Sequence, residues 1–115
     1  MYKHIKSAII EQNMFSNSDM IKQFVGLYCT QTPLDFEKLE KAVLQQDYKG
    51  IGDAAHHIKP TMEYIGASHL RDHLQKIELL AKEMNDINSI QIEFLSLKPQ
   101  FEELYTELEH YEKSL

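Results

Sequence analysis

The sequence predicts an all-α fold, an up-and-down four-helix bundle with a short additional helix at its N-terminus. Three observations carry this. Apolar residues recur in steps of three and four along most of the chain, the spacing of one face of a 3.6-residue helix. No stretch of useful length alternates apolar and polar with the period of two that a half-buried strand requires. Only four glycines and three prolines interrupt 115 residues, and there is no repeat or low-complexity segment. With 43% apolar and 10% aromatic content the chain can fill one modest core and not two, so a single domain over residues 1–115 is expected.

Residues 3 to 11 read as the short first helix, ended by the polar stretch NMFSNSD. Ser16, Asn17 and Ser18 are each suitable N-caps for the second helix, because a short side-chain oxygen can accept from a free N–H of the first turn. That helix carries Ile21, Phe24, Val25, Tyr28, Phe36, Leu39 and Val43 and keeps phase across TQTPLD, so Pro33 either kinks one long helix or starts a second piece at its first turn, and the kept phase favours one kinked helix. Asp47 caps the third helix, whose stripe of Ile51, Ala55, Ile58, Met62 and Ile65 falls within roughly 80° of arc. Gly66 ends that helix, since glycine takes the left-handed conformation that helix C-termini favour. The fourth begins at once with Leu70, Leu74, Ile77, Ala81 and Met84, and NDIN closes it. So tight a turn packs the third and fourth helices antiparallel. The last segment runs Ile87, Ile90, Phe94, Leu97, Phe101, Leu104, Leu108, Tyr111 and Leu115, one amphipathic helix kinked at Pro99.

Charge narrows the function classes. Twelve basic against eighteen acidic residues give a net charge of −6, which repels nucleic-acid backbones and anionic lipid in the absence of a basic run. The single cysteine, Cys29, has no internal disulfide partner and lies among apolar helical residues, as a small core filler in a reducing compartment would. The start MYKHIKSAII has too short an apolar run for a signal sequence, and nothing approaches the length of a membrane span. The expectation is a cytoplasmic monomer with no nucleic-acid or membrane partner.

A bundle of this kind has no built-in pocket, so chemistry is sought on an outward face. The third helix contains DAAHHIKPTMEYIG, residues 53 to 66. With the apolar stripe at zero, His56 projects at roughly 140°, Glu63 at roughly 120°, Gly52 at roughly 100° and Lys59 at roughly 80°, one exposed strip. The His56 ring leans back over position 52, which glycine leaves empty. Pro60 removes the N–H that would bond the His56 carbonyl, and so places its kink at His56. An exposed imidazole is mostly neutral near pH ~7 and can act as a nucleophile without a dedicated base. Lys59, one turn on, can neutralise oxygens of a phosphoryl group carried by that ring. The pairing suits a group carrier. No Ser-His-Asp or Cys-His arrangement, glycine-rich phosphate loop or nucleotide signature accompanies it, so the phosphoryl donor must come from outside.

These residues carry a resemblance. AAHHIKPTMEYIGA, residues 54 to 67, is similar to the signature of histidine-containing phosphotransfer (HPt) domains, the four-helix carriers of multistep two-component phosphorelays. The resemblance places His56 at the phosphoacceptor, Lys59 at the phosphate-stabilising lysine and Gly66-Ala67 at the helix-ending pair. LQKIE on the next helix resembles the family's apolar-acidic ending and puts Glu78 near the site. Pro60 stands where glycine is commoner, and Met62 and Glu63 are bulkier than usual, so a partner surface must accommodate them. The resemblance implies a carrier with no kinase or hydrolase activity of its own. It would take a phosphoryl group from a receiver-domain aspartyl phosphate and pass it to another receiver aspartate, docking through the strip that includes Gly52, Pro60 and Glu63. It also implies no cofactor on this chain, the Mg²⁺ being expected on the receiver. His57 lies at roughly 240° and has proline, not lysine, three residues later.

Two other constellations read as structural. His69 and His73 are spaced for joint metal binding but lack a third ligand fixed by local spacing. Glu107-x-x-His110 has the spacing used in di-iron bundles without the second motif those need, so no metal site is expected. The rival reading is a non-enzymatic interaction bundle in which the histidine strip is incidental.

Overall fold

The computed structural model describes residues 2–115. It contains α1 (Ser7–Asn13), α2 (Ser18–Leu44), α3 (Tyr48–Tyr64), α4 (Ser68–Lys82) and α5 (Ile87–Ser114). The four long helices form a closed ring in which α2 packs on α3 and α5, and α4 packs on α3 and α5, in an envelope of 44 × 21 × 21 Å. The α3–α4 pair makes the most extensive contact. The fold is the expected all-α bundle, and among the described residues no helix is long and apolar enough to cross a membrane.

Local chemistry explains the helix ends. Of the three candidate caps, Asn17 starts α2 by accepting from the Met20 N–H at 3.0 Å. Asp47 starts α3 by accepting from the Gly50 N–H at 3.1 Å. Gly66, at φ 77°, closes α3: the Ala67 N–H returns to the Met62 carbonyl at 2.9 Å and the Gly66 N–H to Glu63 at 3.2 Å. This double return satisfies carbonyls the helix leaves unpaired. The same pairing closes α2 at Gln46 and α4 at Met84, both left-handed without glycine. Met84 is therefore a turn residue with an exposed side chain, not part of the α4 stripe as its spacing predicts. α2, α3 and α5 run unbroken through Pro33, Pro60 and Pro99.

Three further expectations are corrected. The first helix starts at Ser7 and not at residue 3: Lys6 is extended, at φ −125° and ψ 107°, with its N–H on the Ile65 carbonyl at 2.9 Å, and the N–H groups of Lys3, His4 and Ile5 go to the Glu107 carboxylate of α5 at 3.1, 2.9 and 3.1 Å. The preceding segment is a strap across the end of the bundle. Phe24 is exposed and Tyr28 half-buried, although Ile21 and Val25 in the same turns of α2 are buried. Cys29 is only partly buried and does not fill the core. The core itself holds Leu39, Ile51, Ile58, Met62, Leu74 and Leu104, with Phe36 stacked on Phe94 at 5.2 Å and on Phe101 at 4.3 Å between ring centroids.

Candidate functional site

Both histidines of the HH pair lie on the surface of α3 but face different neighbours. His56 turns toward α4, its side chain 69% exposed, with Nδ1 3.1 Å from Oε2 of Glu78. His57 turns toward α2, where its Nε2 is 3.6 Å from Oδ2 of Asp35, beyond hydrogen-bond length. Asp35 is engaged instead by the Gln31 amide, which donates at 2.9 Å.

Glu78 organises the His56 side. Its side chain is 3% exposed, and two ammonium groups reach it: Lys59 Nζ lies 2.6 Å from Oε1 and Lys82 Nζ 3.0 Å from Oε2. Lys59 also donates to Oε1 of Gln75. Burial alone would raise the Glu78 carboxyl, but hydrogen bonds and charge from Lys59 and Lys82 outweigh it and hold the group below its ordinary range. Glu78 is therefore a carboxylate at neutral pH and can only accept. Facing it, His56 donates from Nδ1, and the neutral ring in this tautomer leaves Nε2 without a proton.

The expected strip divides in two. His56, Pro60 and Glu63 are exposed, with Glu63 held by Arg71 Nε at 2.8 Å. Gly52 and Lys59 are not on that surface: Gly52 is buried, and the Lys59 side chain is 14% exposed. The reason is angular, because these two stand closest to the apolar stripe and α4 covers that edge. A Cβ at position 52 would sit 3.8 Å from the Cβ of Ala81, so packing does not demand glycine there. Its effect is to leave open a depression beside the ring, lined by His56, Gly52, Lys82 and Lys49. Gly66 and Ala67 are buried at the α3–α4 turn, away from the ring. Sequence reasoning missed Gln75, Lys82 and Arg71. The signal existed: 71, 75, 78 and 82 step by three and four along α4, a polar row flanking its apolar stripe.

The other histidines have structural partners. His69 Nε2 lies 2.8 Å from Nδ1 of the buried His4, whose Nε2 is 3.1 Å from Glu103. His73 pairs with Glu93 at 2.7 Å, and His110 with the Tyr2 hydroxyl at 2.8 Å. Among the described residues no three His, Cys, Asp or Glu side chains are grouped to hold a metal ion.

The family model described as "Hpt domain" matches residues 23–111, which takes in the paired histidines, Glu78, all of α3 and α4 and most of α2 and α5. The chain belongs to the Hpt domain family. Hpt domains are phosphocarriers, so histidine phosphotransfer in phosphorelays is its function and receiver domains are its general class of partner. No curated protein matches the chain in sequence. Among solved structures, the HPT domain from the Hpt sensor hybrid histidine kinase from Shewanella has the same fold, with a TM-score of 0.85 over 96% of this chain and 95% of that one. Their sequences are 16% identical, so this likeness concerns the fold.

Proposed function

We propose that His56 Nε2 is the phosphoacceptor of this Hpt domain. One observation carries the reading: a buried carboxylate, Glu78, lies against Nδ1 and so fixes the tautomer that leaves Nε2 bare. The Nε2 lone pair attacks the phosphorus of a receiver aspartyl phosphate. An N–P bond forms, the P–O bond breaks, and the aspartate leaves with the bonding electrons as a carboxylate. No proton has to be removed from the nucleophile. The imidazole gains positive charge as the bond forms, and Glu78 stabilises that charge through the Nδ1–H it already accepts. The reverse sequence delivers the group to a second receiver.

The Mg²⁺ and much of the stabilisation of the transferring oxygens come from the receiver, and this chain has no kinase or hydrolase activity of its own. Docking uses the exposed ridge of His56, Pro60 and Tyr64 with Glu63 at its edge, and the apolar side chains of Phe24 and Phe15 extend it. Gly52 contributes from below, by keeping the depression next to the ring open.

The test mixes the protein with receiver domains charged by a small phosphodonor and Mg²⁺ and looks for acid-labile, base-stable phosphate. Label that survives His57→Gln and is lost in His56→Gln is the expected result. Label retained by His56→Gln would move the site. Absence of label from every receiver tried, with the bundle folded, would favour the interaction-module reading.

A further inference from the structure

We infer that Lys82 is the cation that contacts the phosphoryl group on His56, and that Lys59 is a positioning residue acting through Glu78. The inference rests on His56 being the phosphoacceptor and reassigns the roles of the two lysines around it.

Both lysines bind Glu78, but they differ in freedom. Lys59 is enclosed between α3 and α4, with Oε1 of Glu78 and Oε1 of Gln75 as its partners. To reach a phosphoryl group its ammonium would have to leave Oε1 of Glu78, an atom of a side chain 3% exposed, without the only cation that reaches it. Lys82 occupies the other oxygen. Its side chain is 66% exposed, and its Nζ rests on Oε2, the same atom that faces His56 Nδ1. The ammonium and the ring are thus within two hydrogen-bond lengths of each other. Lys82 also lines the open depression beside His56, and Lys59 does not.

If Lys82 leaves Oε2, nothing is stranded. Lys59 remains on Oε1, and the His56 Nδ1–H remains on Oε2. A phosphoryl group brings about two negative charges at neutral pH, more than the carboxylate that Lys82 shares with two other groups. The flexible four-carbon stem lets the ammonium follow that charge. No covalent bond changes at either lysine. Lys82 moves from carboxylate to phosphoryl oxygen while Lys59 holds Glu78, and hence the ring tautomer, in place.

The two roles separate by experiment. Nitrogen-15 NMR of the His56 ring in the unphosphorylated protein reads the tautomer, and the decay of phosphohistidine with its phosphorus-31 titration reads the phosphoryl contact. Lys82→Ala should leave the Nδ1–H tautomer intact, shorten the phosphohistidine lifetime roughly three- to tenfold, and raise the phosphorus titration midpoint; Lys82→Arg should restore both. Lys59→Met should instead disturb the tautomer before any phosphate is added. A wild-type lifetime and titration in Lys82→Ala overturns the inference, as does an intact tautomer in Lys59→Met. If Lys59→Met does not fold, Gln75→Ala, which frees Lys59 on one side, should shift the tautomer in the same direction, and an unmoved tautomer there counts against the role. Failure of the underlying reading looks different, because wild type would then carry no label on His56.

Discussion

Replacing Glu78 with glutamine tests the electrostatic core of the site. The substitution keeps the shape and removes one charge, so the effect is the sum of each partner's loss. Lys82 is mostly exposed and returns to water at little cost. His56 exchanges a charge-assisted hydrogen bond for a neutral one. Lys59, 14% exposed, loses its carboxylate and keeps only the Gln75 carbonyl. Breaking a buried pair costs about 3–5 kcal/mol, and partial access to water reduces this to about 2–3 kcal/mol here. For a chain of this size that is a fall of roughly 10 °C in Tm. The pH dependence is sharper still. The folded-state pKa of Glu78 is depressed below its ordinary 4.5, so its stabilisation is fully present above that pH and is lost as pH falls through the folded value. Glutamine has no such dependence at this position. The stability gap between wild type and Glu78→Gln, measured by denaturant unfolding, should be widest near pH ~7 and close below pH ~4.5. A gap of the same size at both ends, or one below ~0.5 kcal/mol at neutral pH, would refute the assignment of Glu78 as a paired buried carboxylate.

Gly52→Ala should stabilise the protein by about 1 kcal/mol in thermal melts, because the new methyl meets Ala81 at an ordinary 3.8 Å and helix propensity improves; a loss of stability would show that the α3–α4 spacing is tighter than described. Gly66→Ala should do the opposite by more than ~1 kcal/mol, since φ is 77° and the Cβ would lie 2.8 Å from that of Lys6; unchanged stability would show that the turn does not require glycine. Glu107→Ala should release the N-terminal strap, seen as loss of amide-exchange protection at Lys3, His4 and Ile5 with α2–α5 protected as before; continued protection of these amides would contradict it. The His69 imidazole is held below its ordinary 6.5, first by burial and then by His4, Lys3 and Lys6 against the opposing pull of Glu107. A base so depressed favours the fold while neutral, so wild-type stability should decline as pH drops below ~6.5, and His69→Gln should flatten that decline. Parallel pH profiles for the two proteins would dispose of the idea.

Much of the molecule was decided by local chemistry. Stripe spacing set five helices, Asp47 carried its cap in plain view, Asn17 stood among three candidates, and Gly66 marked its turn, because these depend on residues within a few positions of each other. The HH-x-K pattern on α3 likewise placed the histidine and lysine one turn apart. A helical wheel could not tell which edge of the strip a neighbour covers. Packing of α4 buried Gly52 and most of Lys59, and joined Lys59 to Gln75 and His56 to Glu78 across 16 and 22 residues of sequence, while Lys82 reaches Glu78 from one turn on in α4 itself. The same limit hid the strap: residues 3 to 5 read as helix until Glu107, more than a hundred residues away, took their N–H groups. The left-handed ends at Gln46 and Met84 were hidden because hydrogen bonds back into the helix impose a conformation that glycine would otherwise advertise. The sequence alone determined which faces are apolar and which residue types share a turn. Only the tertiary structure decided which charge faces which, since the energy of a carboxylate or ammonium depends on burial and partners that distant parts of the chain supply.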